Sequence, residues 1–145
     1  MDETFKLCKA VYELFPEWDD ASNYYVGDMN YATKKITYEI CPSSDDAVAD
    51  KYRFDFKNKT LCYESGYEYE TIEYLVGNYV PLYASDYLLE KLKNERAVSV
   101  YWDGEEEEWN ADSEHQIGES FGITADTPLK ALLKLVLALK KAGDL

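Results

Sequence analysis

The sequence is poor in the residues that mark metal, redox and catalytic sites. It has one histidine, His115, and three cysteines, Cys8, Cys41 and Cys62. A single histidine excludes any site that needs two, and the wide cysteine spacing matches neither a zinc pair nor a CxxC redox motif. The sequence also has no Walker loop, no GxGxxG motif and no HExxH motif. We therefore expect no metal, no cofactor and no enzymatic activity, and we interpret the cysteines as buried, reduced thiols.

Basic residues and long apolar runs are scarce as well. The chain carries 15 Lys and Arg against 29 Asp and Glu, a formal charge of −14. Direct binding to nucleic acid is not expected, because it needs basic side chains that replace phosphate counterions, and anionic membrane surfaces are disfavoured for the same reason. The most apolar stretch, Ala131 to Leu139, contains Lys134 and is less than half as long as a membrane span. Residues 1–4 lack the pattern of a secretory signal, so we expect a cytoplasmic protein.

The apolar content is nevertheless sufficient for a folded protein. Hydrophobic residues make up 46% of the 145 residues, and aromatic residues make up 15%. A chain of this size and composition predicts a single domain over residues 1–145 with a sizeable core. Intrinsic disorder is not expected despite the charge.

Apolar periodicity predicts an α+β fold. Helical spacing from Phe5 to Phe15 predicts an N-terminal helix, while Thr127 and Pro128 predict the start of a long helix that runs to Gly143. Alternating apolar residues predict an antiparallel sheet, and we expect both helices to pack on it. The predicted strands lie near residues 36–41, 52–57, 60–64, 97–102, 108–112 and 119–125.

Three further segments have weaker patterns. Residues 24–26 favour a short strand, although turn-forming residues surround them. Apolar residues spaced three and four apart over 72–79 predict a short helix, and a second helix is predicted over 86–93.

The chain after Asp103 is predicted to turn in a loop of more than two residues. A two-residue turn at Asp103-Gly104 would pair Trp102 with Glu105, which places a carboxylate on the face that the apolar residues need. A longer loop, with the strand resuming near Glu108, removes this conflict. We therefore expect the glutamates to lie exposed at a loop tip.

Two stretches of the sequence resemble a known family. Residues 81–92 read PLYASDYLLEKL, and residues 125–135 read ADTPLKALLKL. They resemble small bacteriophage and prophage proteins with a phage ABA sandwich domain, over roughly residues 81–143. The resemblance implies a short helix that leads into an antiparallel sheet, and a C-terminal helix that covers this sheet. It also implies phage ancestry, hence the host cytoplasm, but no established activity.

Acidic residues are concentrated in stretches that have no base. Between Arg96 and Lys130 there are nine acids and no Lys or Arg. Such a stretch creates a negative field that steers basic partners. In extended chain the run Glu105–Glu108 would place charges ~3.3 Å apart, close to the ~3.4 Å spacing of phosphates along a DNA strand. The alternative is that the run is solvated surface that keeps the protein in solution.

Tyrosine is abundant, and part of it is mixed with acids. The chain has 14 Tyr, several of them between acids in residues 63–74. Tyrosine is common in the centres of protein interfaces, so this composition is typical of a protein-binding surface. Alternatively, each ring is buried in a strand with its hydroxyl in water.

These patterns lead to one functional hypothesis and one alternative. The hypothesis is a small acidic phage protein that blocks a basic, nucleic-acid-binding host defence protein, such as a CRISPR effector or a restriction enzyme. The alternative is an accessory or structural phage protein without catalytic activity. The oligomeric state stays open. The residues predicted to bind the partner are Glu105, Glu106, Glu107, Glu108, Asp112, Glu114, Tyr67, Tyr69 and Tyr74.

Overall fold

The computed structural model describes residues 2–43, 53–64, 71–92, 97–114, 120–143 and 145. For residues 53, 63–64, 71–74, 114 and 120–121 it describes the backbone alone. The elements, numbered in chain order, are α1 (Glu3–Leu14), β1 (Asn23–Asn30), β2 (Lys35–Pro42), β3 (Arg53–Asp55), β4 (Thr60–Glu64), β5 (Thr71–Leu75), β6 (Tyr79–Leu82), α2 (Ser85–Leu92), β7 (Val98–Asp103), β8 (Glu108–Glu114), β9 (Ser120–Ala125) and α3 (Pro128–Lys141).

The α+β prediction is confirmed, but the strands do not belong to one sheet. Within the described residues they form three antiparallel sheets of three strands each, in the orders β2–β1–β6, β3–β4–β5 and β7–β8–β9. Each predicted strand coincides with an observed one. Alternation identifies a strand without identifying its partner, because the partner is chosen by loop length and by distant residues.

The chain divides into two compact units. The first contains residues 1–18 and 83–145, and the second contains residues 19–82. Whether the two units fold together as one domain over residues 1–145 is not decided by this division. The single domain therefore stays a prediction.

The first unit is organised around α3. This helix packs on the sheet β7–β8–β9, and α1 packs against α3. Lys130 and Lys134 lie at the border of the covered face, and both approach the carboxylate of Glu3, at 3.8 and 3.0 Å. Lys130 also pairs with Asp126 at 3.0 Å. The residues of α3 that are fully buried are Ala131, Leu132, Leu133, Leu135, Val136 and Leu139.

Side-chain caps begin both long helices. The Asp2 carboxylate accepts the Phe5 N–H at 2.7 Å, and the Thr127 hydroxyl oxygen accepts the Lys130 N–H at 3.2 Å. Each cap satisfies a backbone donor that has no partner inside the helix. The Thr127 cap and Pro128 in the first turn of α3 confirm the predicted start of the C-terminal helix.

The second unit contains the other two sheets around an aromatic core. Tyr24 of β1 is buried and contacts Phe54 of β3, with ring centroids 5.1 Å apart. Val26, Cys41, Leu61 and Val76 complete this cluster of buried side chains, and Phe56 and Tyr79 pack against it half-buried. The segment around residues 24–26, which had only a weak strand pattern, is therefore a long strand at the centre of its sheet.

The predicted helix over residues 72–79 is wrong. Thr71–Leu75 forms β5 and pairs with β4, and Tyr79–Leu82 forms β6 and pairs with β1. The helical spacing consisted of Ile72, Leu75, Val76 and Tyr79, but Ile72 and Tyr74 also alternate with Glu73 as in a strand. Pairing with β4 and with β1 supplies backbone hydrogen bonds to this segment, and Gly77 weakens a helix here.

Three hairpins share one loop design. In each, four loop residues join paired strand ends, the residue before the loop is Asn or Asp, and its side-chain oxygen accepts backbone N–H groups of the loop. The last loop residue has a left-handed backbone although it is not glycine, with φ of 57°, 53° and 52°. The hairpins begin at Asn30, Asp55 and Asp103, and their left-handed residues are Lys34, Lys59 and Glu107.

Two expectations from composition can be compared with the structure. All three cysteines are free and buried, which confirms their interpretation as thiols. Among the described residues, no helix combines the length and the apolar character that crossing a membrane requires.

Candidate protein-binding surface

The β7–β8 hairpin carries the acidic residues predicted to bind a partner. Trp102 pairs with Trp109, and Asp103 pairs with Glu108, so the loop consists of residues 104–107. This confirms the longer loop. The Asp103 carboxylate accepts the N–H groups of Glu105 and Glu106, at 3.0 and 3.4 Å. These hydrogen bonds fix the tip, and residues 105–107 are exposed there.

The loop geometry overturns the argument that the run of glutamates matches the spacing of DNA phosphates. The ~3.3 Å spacing that would match DNA phosphates requires extended chain. Glu105–Glu107 lie instead in a turn, and Glu107 has a left-handed φ of 52°. The carboxylates therefore form a cluster at the tip, and any likeness to nucleic acid lies in their charge rather than in a linear repeat.

Register places two further acids on one face of the sheet. Asp112 is opposite Ser99, and Glu108 is opposite Asp103, with the pair Tyr101 and Asn110 between them. Residues directly opposite each other point to the same face of a sheet. The other face carries Ala111 and Ser113, which are fully buried on the side of α3. Glu108 and Asp112 are thus on the face turned away from α3.

Tyr101 lies between these acids and binds one of them. The hydroxyl of Tyr101 donates a hydrogen bond to Asp112, and this bond, with the negative charges of Asp112 and Asp103, raises the pKa of Tyr101. The Asp112 carboxylate also lies over β9, where a Cβ added to Gly122 would be 3.2 Å from its oxygen. The glycine leaves room for the carboxylate, so Asp112 is held in place on the sheet.

Trp102 alternates with Val98 and Val100 along β7, a pattern that predicts burial, yet Trp102 is not buried. Its side chain is 51% exposed, and Tyr101 is 46% exposed. The Trp102 ring meets that of Trp109 at 5.7 Å, so it is supported from one side only. By register it lies on the face of Ala111 and Ser113, at the hairpin end of its strand beside the loop. Sequence periodicity could not identify this, since it does not say which residues of a face stay exposed.

The hairpin acids have no ion pair within the described part of the chain. The first two lysines that follow them in the sequence, Lys130 and Lys134, bind Asp126 and Glu3 instead. The pairing with Lys130 lowers the pKa of Asp126 and raises that of Lys130. We use the name acidic hairpin surface for the end of this hairpin, both faces included, which consists of Tyr101, Trp102, Asp103, Glu105, Glu106, Glu107, Glu108 and Asp112.

The other predicted contact residues are not brought to this surface by anything that the structure describes. Glu114 is the last residue of β8, with its backbone alone described. Tyr67 and Tyr69 lie outside the described residues, as does His115. Tyr74 lies on β5, in the second unit, opposite Leu61.

A GxSxG pattern occurs over residues 118–122 but not in the setting that its chemistry needs. In hydrolases that use this pattern, the serine lies on a sharp turn between a strand and a helix. Ser120 is instead the first residue of β9, which continues to Ala125 in register with β8. Within the described residues, no group of three or more His, Cys, Asp and Glu side chains is arranged to hold a metal ion.

Comparison with known proteins adds no assignment to this geometry. The resemblance to phage ABA sandwich proteins stays a prediction carried by residues 81–92 and 125–135 alone. The chain matches no protein-family model, no curated protein and no solved structure.

Proposed function

We propose that this chain is a small, non-catalytic binding protein that occupies the basic groove of a nucleic-acid-binding host defence protein, such as a CRISPR effector or a restriction enzyme. The acidic hairpin surface would contact the groove and exclude the nucleic acid. One observation carries the proposal: the end of one hairpin combines acids that have no ion pair among the described residues with two half-exposed aromatic rings, Tyr101 on one face of the sheet and Trp102 on the other.

Charge supports the choice of a basic partner. The sheet β7–β8–β9 contains no Lys or Arg, because none occurs between Arg96 and Lys130. The field of its acids is therefore not cancelled locally, and it reaches about 8 Å into a solution of physiological salt. A field of this kind accelerates encounter with a positive surface and repels nucleic acid itself.

The aromatic residues support binding rather than solubility as the role of this surface. Solubility requires charge only, whereas Trp102 and Tyr101 are 51% and 46% exposed. Trp and Tyr are the residues on which interface affinity most often depends. An exposed Trp also stacks with guanidinium groups, which basic grooves supply.

The proposed mechanism is competition. The carboxylates replace the phosphates of the nucleic acid as partners of the groove, and no covalent chemistry takes place. Binding should weaken as salt rises, because exposed charges are screened. With the phage ancestry implied by the resemblance, the protein would act in the cytoplasm of the host cell.

The test begins with affinity capture from a bacterial lysate, treated with nuclease, at low and at physiological salt. The captured protein is then purified, and displacement of its labelled nucleic acid is measured with the wild-type chain and with two variants. The first variant is Glu105→Gln, Glu106→Gln and Glu107→Gln. The second, Glu13→Gln, Glu17→Gln and Glu39→Gln, changes the net charge equally at exposed residues elsewhere.

We expect the hairpin variant to weaken inhibition about tenfold or more, and the control variant to weaken it less than about threefold. Equal losses would show that net charge alone matters and would refute the proposed surface. Capture of no nucleic-acid-binding protein would favour the alternative, an accessory or structural protein.

A further inference from the structure

Strand β2 ends its sheet with a long, regular edge. Its eight residues pair with β1 in unbroken register, and within the described part of the chain no strand pairs with its other side. The other strands that end a described sheet have three to six residues. A long edge strand without a bulge offers its outer backbone groups to another strand, and proteins commonly prevent this with short or bulged edges. β2 belongs to the second unit, whereas the acidic hairpin surface belongs to the first.

The hydrogen bonds of β1 show which backbone groups of β2 point to the edge. The Gly27 N–H donates to the Asn78 carbonyl, next to β6, at 2.7 Å. Since the backbone groups of successive strand residues point to opposite sides, the even-numbered residues of β1 direct theirs to β2. They pair with the odd-numbered residues of β2. The backbone groups of the even-numbered residues, Ile36 and Ile40 among them, therefore point away from β1, to the edge.

Side chains of this edge are exposed on both faces of the sheet. Thr37 and Glu39 are exposed on the face of Val26, and Ile40 is 58% exposed on the other face. Met29, on the face of Ile40, is exposed as well. Exposed edges are normally protected by charged residues, so apolar side chains beside outward-pointing backbone groups favour a further strand as the cover of this edge.

The charge of this hairpin differs from that of the whole chain. Between Asp28 and Glu39 the sequence has Lys34 and Lys35 and no acid. Lys35 and Glu39 are exposed, and neither has an ion pair within the described residues. Two copies of a chain with a formal charge of −14 repel each other least where a basic segment of one meets an acid of the other. This strand carries both.

We propose that β2 pairs with β2 of a second copy, antiparallel, about a two-fold axis at Thr37. Lys35 of each copy then lies opposite Glu39 of the other, so two opposite-charge pairs form. Thr37 lies opposite Thr37, and Ile36 lies opposite Tyr38, pairs that also stabilise antiparallel strands. The Ile36 N–H would donate to the Tyr38 carbonyl across the axis, and a carbonyl oxygen accepts more than one hydrogen bond. The two sheets would join into one sheet of six strands.

The charges select this register. Moving the axis by one residue, to Ile36 or to Tyr38, places Lys35 opposite Thr37 or Cys41 and removes both charge pairs. In a two-fold interface every contact occurs twice, so this choice is made by two pairs at once. Pairing of one strand edge is a small contact, and we therefore expect a weak, reversible dimer.

The test begins with sedimentation equilibrium of the full chain at physiological salt, from about 1 μM to about 1 mM protein. The mean mass should rise from 16.8 kDa towards twice this value. Hydrogen exchange of the Ile36 amide, followed by NMR, should slow over the same concentrations, because this N–H gains an acceptor in the dimer. This second measurement reports the edge itself.

Charge reversals test the register. Lys35→Glu and Glu39→Lys each place like charges opposite each other twice, and each should weaken the dimer about tenfold or more. In an equimolar mixture of the two variants the mixed dimer has both opposite-charge pairs again, and its affinity should be within about threefold of the wild type. The matched controls, Lys9→Glu and Glu13→Lys, change the net charge equally at exposed residues of α1. They should alter the affinity by less than about threefold.

Three results would overturn the proposal. A chain that stays monomeric up to about 1 mM leaves the edge to a strand of another protein. A dimer that the reversals weaken no more than the controls do is formed by another surface. A dimer that the reversals weaken and that mixing does not restore depends on these charges in a different register.

Discussion

At the scale of single residues, Ser113 is a polar group without a partner. Among the described residues it is the buried polar side chain of the core, with no exposed surface, and its hydroxyl has no hydrogen-bond partner. A buried hydroxyl without a partner loses its hydration and gains nothing in return. The side chain lies on the face of the sheet that α3 covers.

Ser113→Ala should therefore stabilise the fold. We expect the free energy of unfolding to rise by about 1 kcal/mol, because alanine fills nearly the same volume without the polar atom. Urea unfolding at constant slope measures this change. Ser99→Ala, at an exposed position of β7, is the control and should change stability by less than about 0.5 kcal/mol. A loss of stability in Ser113→Ala would show that the hydroxyl has a partner after all.

Cys8 makes stability depend on pH in the alkaline range. Burial of the thiol, helped by the charge of Asp2, raises its pKa from 9.0 to about 11. The folded protein therefore holds the thiol proton more tightly than the unfolded chain does. Its contribution to stability is complete below pH 9 and is lost as the pH rises to about 11.

Cys8→Ala should remove this part of the pH dependence. Between the two pKa values the wild type should lose about 1.4 kcal/mol more per pH unit than the variant does. Urea unfolding of both proteins at a pH below 9 and at a pH near 10 measures the difference, and the other titrating groups cancel in the comparison. Parallel losses in the two proteins would contradict the assignment to Cys8.

At the scale of elements, the second unit depends on a close approach of chains at Gly27. A Cβ at this position would be 2.9 Å from Asn78 Cβ and 2.9 Å from Ile36 Cγ2. The Gly27 N–H also donates to the Asn78 carbonyl at 2.7 Å, so the two segments cannot separate without losing that bond. Only glycine fits between them.

Gly27→Ala should destabilise the fold by about 1–3 kcal/mol, the usual effect of overpacking. Gly77→Ala is the matched control, because a Cβ there meets no atom within 4 Å. It should leave stability unchanged or raise it by up to about 1 kcal/mol. Thermal and urea unfolding measure the stability of both variants. Equal changes in stability would refute the steric argument.

The shared hairpin loop gives a second prediction at this scale. Lys34 has a φ of 57°, a conformation that costs an L-residue about 1–2 kcal/mol and glycine almost nothing. Glycine also gives the unfolded chain more conformational freedom, which offsets part of this gain. We therefore expect Lys34→Gly to raise the free energy of unfolding by about 0.5 kcal/mol. The control variant Lys35→Gly removes the same charge from the neighbouring strand residue, and it should lower the free energy of unfolding by about 1 kcal/mol. The reverse order of stability in urea would contradict this account of the loop.

At the scale of the whole molecule, charge opposes folding. The formal charge is −14, and like charges are brought closer together in the folded chain than in the unfolded one. Salt screens this repulsion, because the Debye length falls from about 30 Å at 0.01 M to about 8 Å at 0.15 M. Salt would also weaken the ion pairs of Glu3 and Asp126 with Lys130 and Lys134, so the change with salt shows which of the two effects is larger.

We therefore expect the melting temperature to rise with sodium chloride over this range. The variant with glutamines at 105–107 should start from a higher melting temperature in low salt and should gain less from salt. This result would also show that the hairpin acids are not required for folding, as a binding role implies. A melting temperature that falls with salt would mean that ion pairs contribute more than the repulsion does.

The sequence by itself determined the elements whose causes are local. Asp103 and the conflict around Glu105 predicted the hairpin loop, and Thr127 with Pro128 predicted the start of α3. Apolar alternation located most of the strands. Each of these features depends on residues that are close in the sequence, because caps, turn geometry and periodicity act locally. The sequence pattern alone therefore contains the necessary information.

Only the tertiary structure decided which strands pair, which elements pack on each face of a sheet, and which residues of that face stay exposed. Residues 72–79 have helical spacing, yet their backbone is satisfied by strands that lie elsewhere in the sequence. Trp102 alternates with valines like a core residue, yet half of its surface is exposed. Tyr24 and Phe54 share one core cluster with Val76, although no local pattern connects these three residues. Such features depend on contacts between distant segments, and periodicity along the chain does not encode them.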